Sequence, residues 1–426
     1  MPPSGTPPRR PSARGLTILN TLRESIALLG TKRFGTFWFA SLLSSLGTWA
    51  QQVAEPWLLL TLGASPFLIG LDSFAINAPV WLLTLVGGAL ADRADRRRVI
   101  AVFQSIQMLC PTALVALLVA GWIRPWMVIV LSVVVGVTDA LSMPSFQSIV
   151  PAIVERRQIG RGLALNATQF NLSRILGPTL AGLLISSIGA VACFVVSAVS
   201  YVPFIAVALW ILPPWTPPPA PSDAAPPRRP FEAILEIVRQ PNLRGSLLTV
   251  LATGTFSSPL MTFIPVLVKD VFHGNAGRFS AALASFGAGG LVGSIALLGV
   301  VPGGDKRRLS SVFALLYGAV LVATALDPWF LAVPPILVVA GASMTVSNTT
   351  ANTCLQSDVR PDLLGQAVSL YMLALRGGMS LGALLTGVTV AFLGVRHALL
   401  LDGCVALVLQ TLIAQTGRPR PQPAPA

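Results

Sequence analysis

Several ionisable residues of this sequence lie inside long apolar runs: Glu55, Asp72, Asp139, Arg174 and Arg376. A charged side chain in such surroundings is costly, and where one persists it marks a path for protons, ions or polar ligands. Asp139 and Arg174 fall at matching depth near the middle of neighbouring runs, so an ion pair between them is expected. That pair is either a fixed bridge or a switch, in which protonating Asp139 releases Arg174 and changes which helix arrangement is stable. Arg376 lies equally deep in a later run, but Ala342 and Ser343 stand where the matching acid would be. It is expected to contact an anionic molecule, to pair with a distant acid, or to sit at an interface that spares it burial. Glu55 and Asp72 flank one short loop near a common end of their runs. Two close carboxylates repel one another, so they are candidates for taking up a proton or for holding a cation, unless they face water. Asp270, Asp327 and Asp402 lie at or near the ends of their runs, the first two expected in solvent. Gln51, Gln52, Gln169, Asn171 and Asn348 add polar groups that line a cavity or join helices.

Other chemistry finds no support. Cys110, Cys193, Cys354 and Cys404 all lie in apolar runs at no metal-ligand spacing and in no disulfide framework. His273 and His397 have no nucleophile arranged around them. No phosphate-cradling G-x-x-x-x-G-K-[ST] loop occurs. Neither a metal, nor a cofactor, nor a catalytic set is expected.

The elements that position these residues follow from composition. Of 426 residues, 54% are hydrophobic and 11% charged, with a mean hydropathy of +0.74; soluble domains carry about 25% charged residues. A chain this apolar belongs in lipid, as an all-α membrane protein. Twelve runs are long enough to span: 35–61, 66–91, 99–121, 125–151, 161–188, 190–212, 243–270, 278–301, 309–327, 329–354, 363–393 and 396–415. The stretch PPWTPPPAPSDAAPPRRP opens a linker at 213–242, too rich in proline to span or pack. The expected organisation is a tail at 1–33, six helices at 34–212, the linker, six helices at 243–415 and a second tail at 416–426. Within the first tail, Ile18, Leu19, Leu22, Ile26 and Leu29 share one helical face, suiting a helix on the membrane surface or an extension of the first span. The net charge of +13 comes from short loops, not from a nucleic-acid-binding patch. With both termini inside, the outer face keeps only Arg124, Lys269, Arg278 and Arg396, the asymmetry expected of cytoplasmic basic loops.

Between the second and third runs lies GALADRADRRR, residues 88–98. Glu155-x-Arg157 with Gly162 recurs as Asp358-x-Arg360 with Gly365, and Arg96–Arg98 are echoed by Lys306–Arg308. Twelve spans, a central linker, an internal repeat and this loop together resemble the major facilitator superfamily, built from two pseudo-symmetric six-helix bundles. In its signature loop Gly88, Asp92, Arg93, Arg96 and Arg97 match, while Asp95 stands where the pattern has a second glycine. The resemblance implies that Gly88, Asp92 and Arg93 help to latch the two halves at the cytoplasmic face. Arg97, Glu155, Arg157, Asp358 and Arg360 would join that gate, although Arg96, Arg97 and Arg98 also serve as topology signals. Ser173, Gly177, Pro178 and Gly182, with Ala181, resemble the antiporter motif, whose bent helix is typical of exporters. Within the superfamily the chain is most similar to the enterobactin exporters and macrolide efflux proteins, on GALADRADRRRVI (88–100), PSFQSIVPAIV (144–154), SRILGPTLAGLL (173–184), FIPVLVKDVF (263–272) and GQAVSLYMLALRGG (365–378).

The resemblance implies a secondary transporter of a bacterial inner membrane, not an enzyme. It would expel a small amphipathic molecule (a siderophore, drug or metabolite) in exchange for protons, working as a monomer among membrane lipids. The rivals are a lipid or lysolipid translocator of the same fold and a membrane sensor or scaffold that moves nothing.

Overall fold

The computed structural model describes residues 26–214, 230–298, 305–360 and 363–416. Among them every regular element is helical. The N-terminal helices are α1 (Lys32–Thr61), α2 (Pro66–Asn77), α3 (Pro79–Arg93), α4 (Arg96–Val119), α5 (Pro125–Ile153), α6 (Ile159–Ser187) and α7 (Val191–Trp210). After α8 (Pro230–Arg239) come α9 (Pro241–Phe256), α10 (Pro259–Val266), α11 (Ala276–Leu298), α12 (Lys306–Leu326), α13 (Val333–Asp358) and α14 (Leu364–Thr416). Proline opens α2, α3, α5, α9 and α10, because the first turn of a helix has no intrahelical partner for an N–H and proline lacks one. The prolines at 79 and 259 act inside longer spans, so α2 runs into α3, and α9 into α10, across a bend.

Nine helices among the described residues are long and apolar enough to cross a membrane. The other expected runs have a structural explanation. α1 and α6 have spanning lengths of 30 and 29 residues but are more polar. The last two runs form one helical stretch of 50 residues, Gln366–Gln415. That stretch is broken at Gly394, whose φ of 79° lies in the left-handed region, where a side chain would clash with the backbone.

The repeat seen in the sequence extends to the helix caps. Asp95 accepts from the backbone N–H of Arg97 and opens α4; Asp305 accepts from that of Arg308 and opens α12. An aspartate at the signature loop's second glycine position is therefore tolerated: its φ is −63°, an ordinary value, and its side chain caps the helix. The linker differs from its expected featureless form, because the proline-rich stretch ends at Pro230. From there FEAILEIVR is amphipathic; it buries Ile237 and carries Glu236 to Arg360. Residues 1–25, 215–229 and 417–426, which hold most of the tails and the start of the linker, lie outside the described residues. Of the expected surface helix, Ile26 is exposed while the neighbouring Leu28 is buried against Phe34 and Phe37.

α1 packs on α6 and α7, and α5 on α3 and α4; in the C-terminal set α13 packs on α11 and α12, and α14 on α9 and α12. Between the sets, α10 meets α1 and α2, and α14 meets α3, but the most extensive contacts are α2 with α14 and α6 with α11. Both crossings use glycine at close backbone approach. Gly70 faces the carbonyl of Ala383 and Gly387, Gly182 faces the backbone of Ser280, and Gly287 and Gly290 face Thr179 and Ile175.

The apolar cores tell the two ends of the molecule apart. One cluster spans both sets, joining Trp57, Leu60 and Ile69 to Phe263, Ile264, Leu267 and Phe279. Trp57 and Phe279 stack with ring centres 4.7 Å apart, and Lys269 Nζ donates to the carbonyl of Leu60 at 3.0 Å. Toward the opposite end the cores are separate: Phe34, Phe37, Ile149 and Phe204 in the N-terminal set, and Leu243, Val250, Leu355 and Tyr371 in the C-terminal set. Among the described residues the core shared by both sets lies at the first end, which it seals.

Gly394→Val forces a branched side chain into a left-handed backbone, at about 1–2 kcal/mol. A lower melting temperature in detergent is expected; an unchanged one would show that the break between the last two spans does not need that conformation.

Candidate functional site

Between the two sets lies a cavity of about 110 Å³. Both bends face it, α2–α3 through Ser73 and Asn77 and α9–α10 through Ser258 and Met261. Trp49, Val53, Phe286, Met344, Leu375 and Met379 make most of its wall apolar, while Gln52, Asp72, Arg174 and Asn348 add polar groups. A concave, mainly apolar space with a few polar groups is how small-molecule sites are built.

The central ion pair is not the expected one. Asp139 of α5 is bonded to Arg376 of α14, not to Arg174. The pair joins the N-terminal set to the C-terminal set. Its side chains are 30% and 17% exposed, so neither lies in a dry core. The sequence gives depth along a helix correctly; the direction a side chain takes around the helix decides its partner, and α5 turns Asp139 toward α14. Of the three expectations for Arg376, the pair with a distant acid is the one observed.

Arg174 instead points into the cavity. It is 9% exposed, and its Nε has no hydrogen-bond partner. Among the described residues it makes no ion pair.

Glu55 and Asp72 are 3% and 2% exposed, which overturns the solvent-facing alternative. Gln51 Nε2 donates to Glu55 Oε1 at 2.8 Å, and Ser197 Oγ donates to Gln51 Oε1 at 2.6 Å. Glu55 Oε2 is buried without a partner. Asp72 Oδ1 accepts from Ser132 Oγ at 2.6 Å, and the two carboxylates lie close enough to feel each other's charge. Asp327 and Asp402 are buried too, at 8% and 6%. Asp327 caps the N–H of Trp329, correcting its expected solvation, and Asp402 accepts from Thr386 Oγ1 at 2.6 Å.

The polar amides divide between the two expected roles. Gln51 and Gln169 join helices, the latter donating to Ser45 and Ser173. Gln52 and Asn348 line the cavity, and Asn171 bonds its own helix at Ala167. The antiporter-like residues serve different neighbours. Ser173 is fully buried and bonds the carbonyl of Gln169; Gly177 lets Trp49 of α1 approach, Pro178 lines the cavity and Gly182 meets α11.

Of the expected cytoplasmic gate, the side chains of Gly88, Asp92 and Arg93 lie outside the described residues. Glu155 pairs with Arg157 at 2.7 Å within its own loop. Arg97 pairs with Asp95 at 3.0 Å, and Arg360 with Glu236 at 3.0 Å. Asp358 accepts from Ser357 Oγ at 3.1 Å. These contacts stay within one set of helices, in keeping with the separate cores at that end.

The sealed end holds contacts that were not anticipated. Besides Lys269 on Leu60, Arg278 lies over the ring of Phe330 and donates to the carbonyl of Phe272, and Arg396 lies over Phe272 and donates to that of Asp327. Three of the four basic residues assigned to the outer face are thus structural. Their scarcity there was visible in the sequence; the carbonyls that receive them were not.

Helices of membrane length that meet along two glycine-lined crossings around one cavity define a multi-pass membrane transporter of the major facilitator superfamily. Within it, the family described as transmembrane secretion effector matches residues 24–422, and the chain belongs to that family. It is 25% identical to the staphyloferrin A transporter of Staphylococcus aureus over 87% of this chain and 94% of that protein. It is 24% identical to macrolide efflux protein A of Streptococcus pyogenes over 88% and 95%. With the enterobactin exporter EntS of Citrobacter koseri it shares 24% over 94% and 97%. Among solved structures, the nucleoside transporter NupG superposes with a TM-score of 0.69 at 12% identity, covering 91% of this chain and 100% of that one. An inward-facing, occupied bacterial homologue of the human lysosomal transporter Spinster superposes with a TM-score of 0.68 at 16% identity, covering 92% and 100%. These two show the fold alone.

The pairing is testable by charge exchange. Asp139→Asn leaves Arg376 half-buried and unpaired and is expected to destabilise by about 1–3 kcal/mol. Asp139→Arg combined with Arg376→Asp is expected to recover most of the lost melting temperature. Recovery by exchanging Asp139 with Arg174 instead would contradict the observed geometry.

Proposed function

We propose that this protein exports a small amphipathic molecule, such as a siderophore, a drug or another metabolite, across a bacterial inner membrane in exchange for protons. Its twelve spans form two six-helix bundles, it acts as a monomer, and both termini are cytoplasmic. The observation that carries the reading is the Asp139–Arg376 bridge between the two sets of helices, beside a cavity sealed at one end. The names of its relatives, two siderophore transporters and a macrolide efflux protein, supply the direction and the kind of cargo.

The distribution of basic loops supports an outward position for the sealed end, and with it an inward-open reading of the arrangement. In this arrangement Asp139 is held by Arg376. Cargo enters the cavity from the cytoplasm, and the bundles rock to close the inner end while Trp57 and Phe279 part. Protonation of Asp139 from outside breaks its bond to Arg376, and the carrier returns inward, where loss of the proton lets the pair form again. A protonation equilibrium that favours one arrangement is the differential interaction every driven conformational change requires. Glu55 and Asp72 form a second proton-binding pair nearer the sealed end.

The test uses inverted membrane vesicles loaded with a proton gradient, with an extract of the producing cells as cargo. Wild-type vesicles are expected to accumulate at least one compound, a protonophore to abolish the uptake, and Asp139→Asn to lower it by about tenfold or more. Uptake that persists in Asp139→Asn but fails in Glu55→Gln or Asp72→Asn would move coupling to the second pair. Wild-type vesicles that match those of a deletion strain would overturn export.

A further inference from the structure

We infer that Arg174 is the recognition point for a carboxylate or similar oxyanion on the cargo, so that this protein selects anionic amphiphiles. The inference rests on the export reading for the claim that the cavity's occupant is cargo.

A guanidinium remains charged under all ordinary conditions. Burying one without an anion leaves a desolvation cost with nothing to offset it, so a buried arginine normally has a carboxylate at hand. Arg376 has Asp139, Arg360 has Glu236 and Arg97 has Asp95. Arg174 is more buried than any of these, at 9% exposure, yet its Nε is unbonded and no acid of the described residues reaches it. The titratable groups that act on it are Tyr317 and Tyr371, which bring hydroxyls and no charge. Asp72 shares the cavity wall, but its carboxylate is engaged by Ser132 and faces Glu55.

The surroundings of Arg174 point the same way. Asn348 lines the cavity with its amide oxygen Oδ1 buried and unbonded, an acceptor for a hydroxyl or N–H carried beside the anion. Much of the remaining lining is apolar, through Val53, Met261, Phe286, Met344 and Leu375. An anion held in the guanidinium fork, with an apolar body laid against those side chains, matches this lining. Arg174 also lies one turn before Gly177 and Pro178, where Trp49 of α1 closes on α6.

The purified full-length protein, in lipid nanodiscs, is titrated with three probes of one apolar body: 1-pyrenebutyrate, its methyl ester and 1-pyrenebutylamine. Energy transfer from tryptophan reports binding, and Trp49 stands in the cavity wall. Pyrenebutyrate is expected to bind about tenfold or more tighter than either other probe, the strength of a bidentate charge-assisted pair. Arg174→Gln is expected to erase that preference while leaving ester binding unchanged, and Arg174→Lys to keep part of it. A second measurement needs no variant: phenylglyoxal modification of Arg174, followed by peptide mass, should be slowed by pyrenebutyrate and not by the ester. A preference that survives Arg174→Gln, the absence of protection, or tightest binding of the amine would each overturn the inference, the last in favour of Asp72. Neither measurement requires transport. A protein that binds the carboxylate but moves nothing would therefore refute export and leave the anion site standing.

Discussion

An ionised group in the hydrocarbon layer must find its counter-charge within the protein, and the fold is arranged around that demand. Asp139 meets it with Arg376 on a helix far away in sequence. That single bond makes the two sets of helices electrically incomplete without each other. Among the described residues Arg174 leaves the demand unmet. One cation is thus answered across the two sets, and the other stays open to the cavity.

The seal at one end is of a different physical kind. It is made of stacked rings, interdigitated apolar side chains and cationic side chains resting on backbone carbonyls. Such contacts are short-ranged, whereas the salt bridge joins two charges across the sets. On the proposed export cycle the plug sets how tightly the protein closes and the bridge sets when.

Much of this could be read from the sequence, because lipid imposes one-dimensional rules. The lengths of the apolar runs, the proline-rich linker and the basic loops each follow from burial or exposure of a local segment. The repeat survived even where a residue departed from pattern, since Asp95 and Asp305 cap equivalent helices. What could not be read was rotation about the helix axis. The depths of Asp139, Arg174 and Arg376 were all apparent, but the pairing was not, because adjacent runs are not always the helices a side chain faces. The same blindness hid the burial of Glu55 and Asp72, and the short helix after Pro230 was obscured by the proline count before it.

The crossing of α6 and α11 carries a consequence of its own. Gly182 and Ser280, Thr179 and Gly287, Ile175 and Gly290 meet there with little or no side chain on one partner. Interlocked side chains would act as gear teeth, each a barrier to be climbed as one helix moves past the other. A strip bare on alternate sides behaves instead as a bearing: dispersion contact is kept at every intermediate angle, and no register is strongly preferred. On the proposed export cycle the halves would then stay in contact as they turn, with the energetics set at the plug and the salt bridge instead of along this surface.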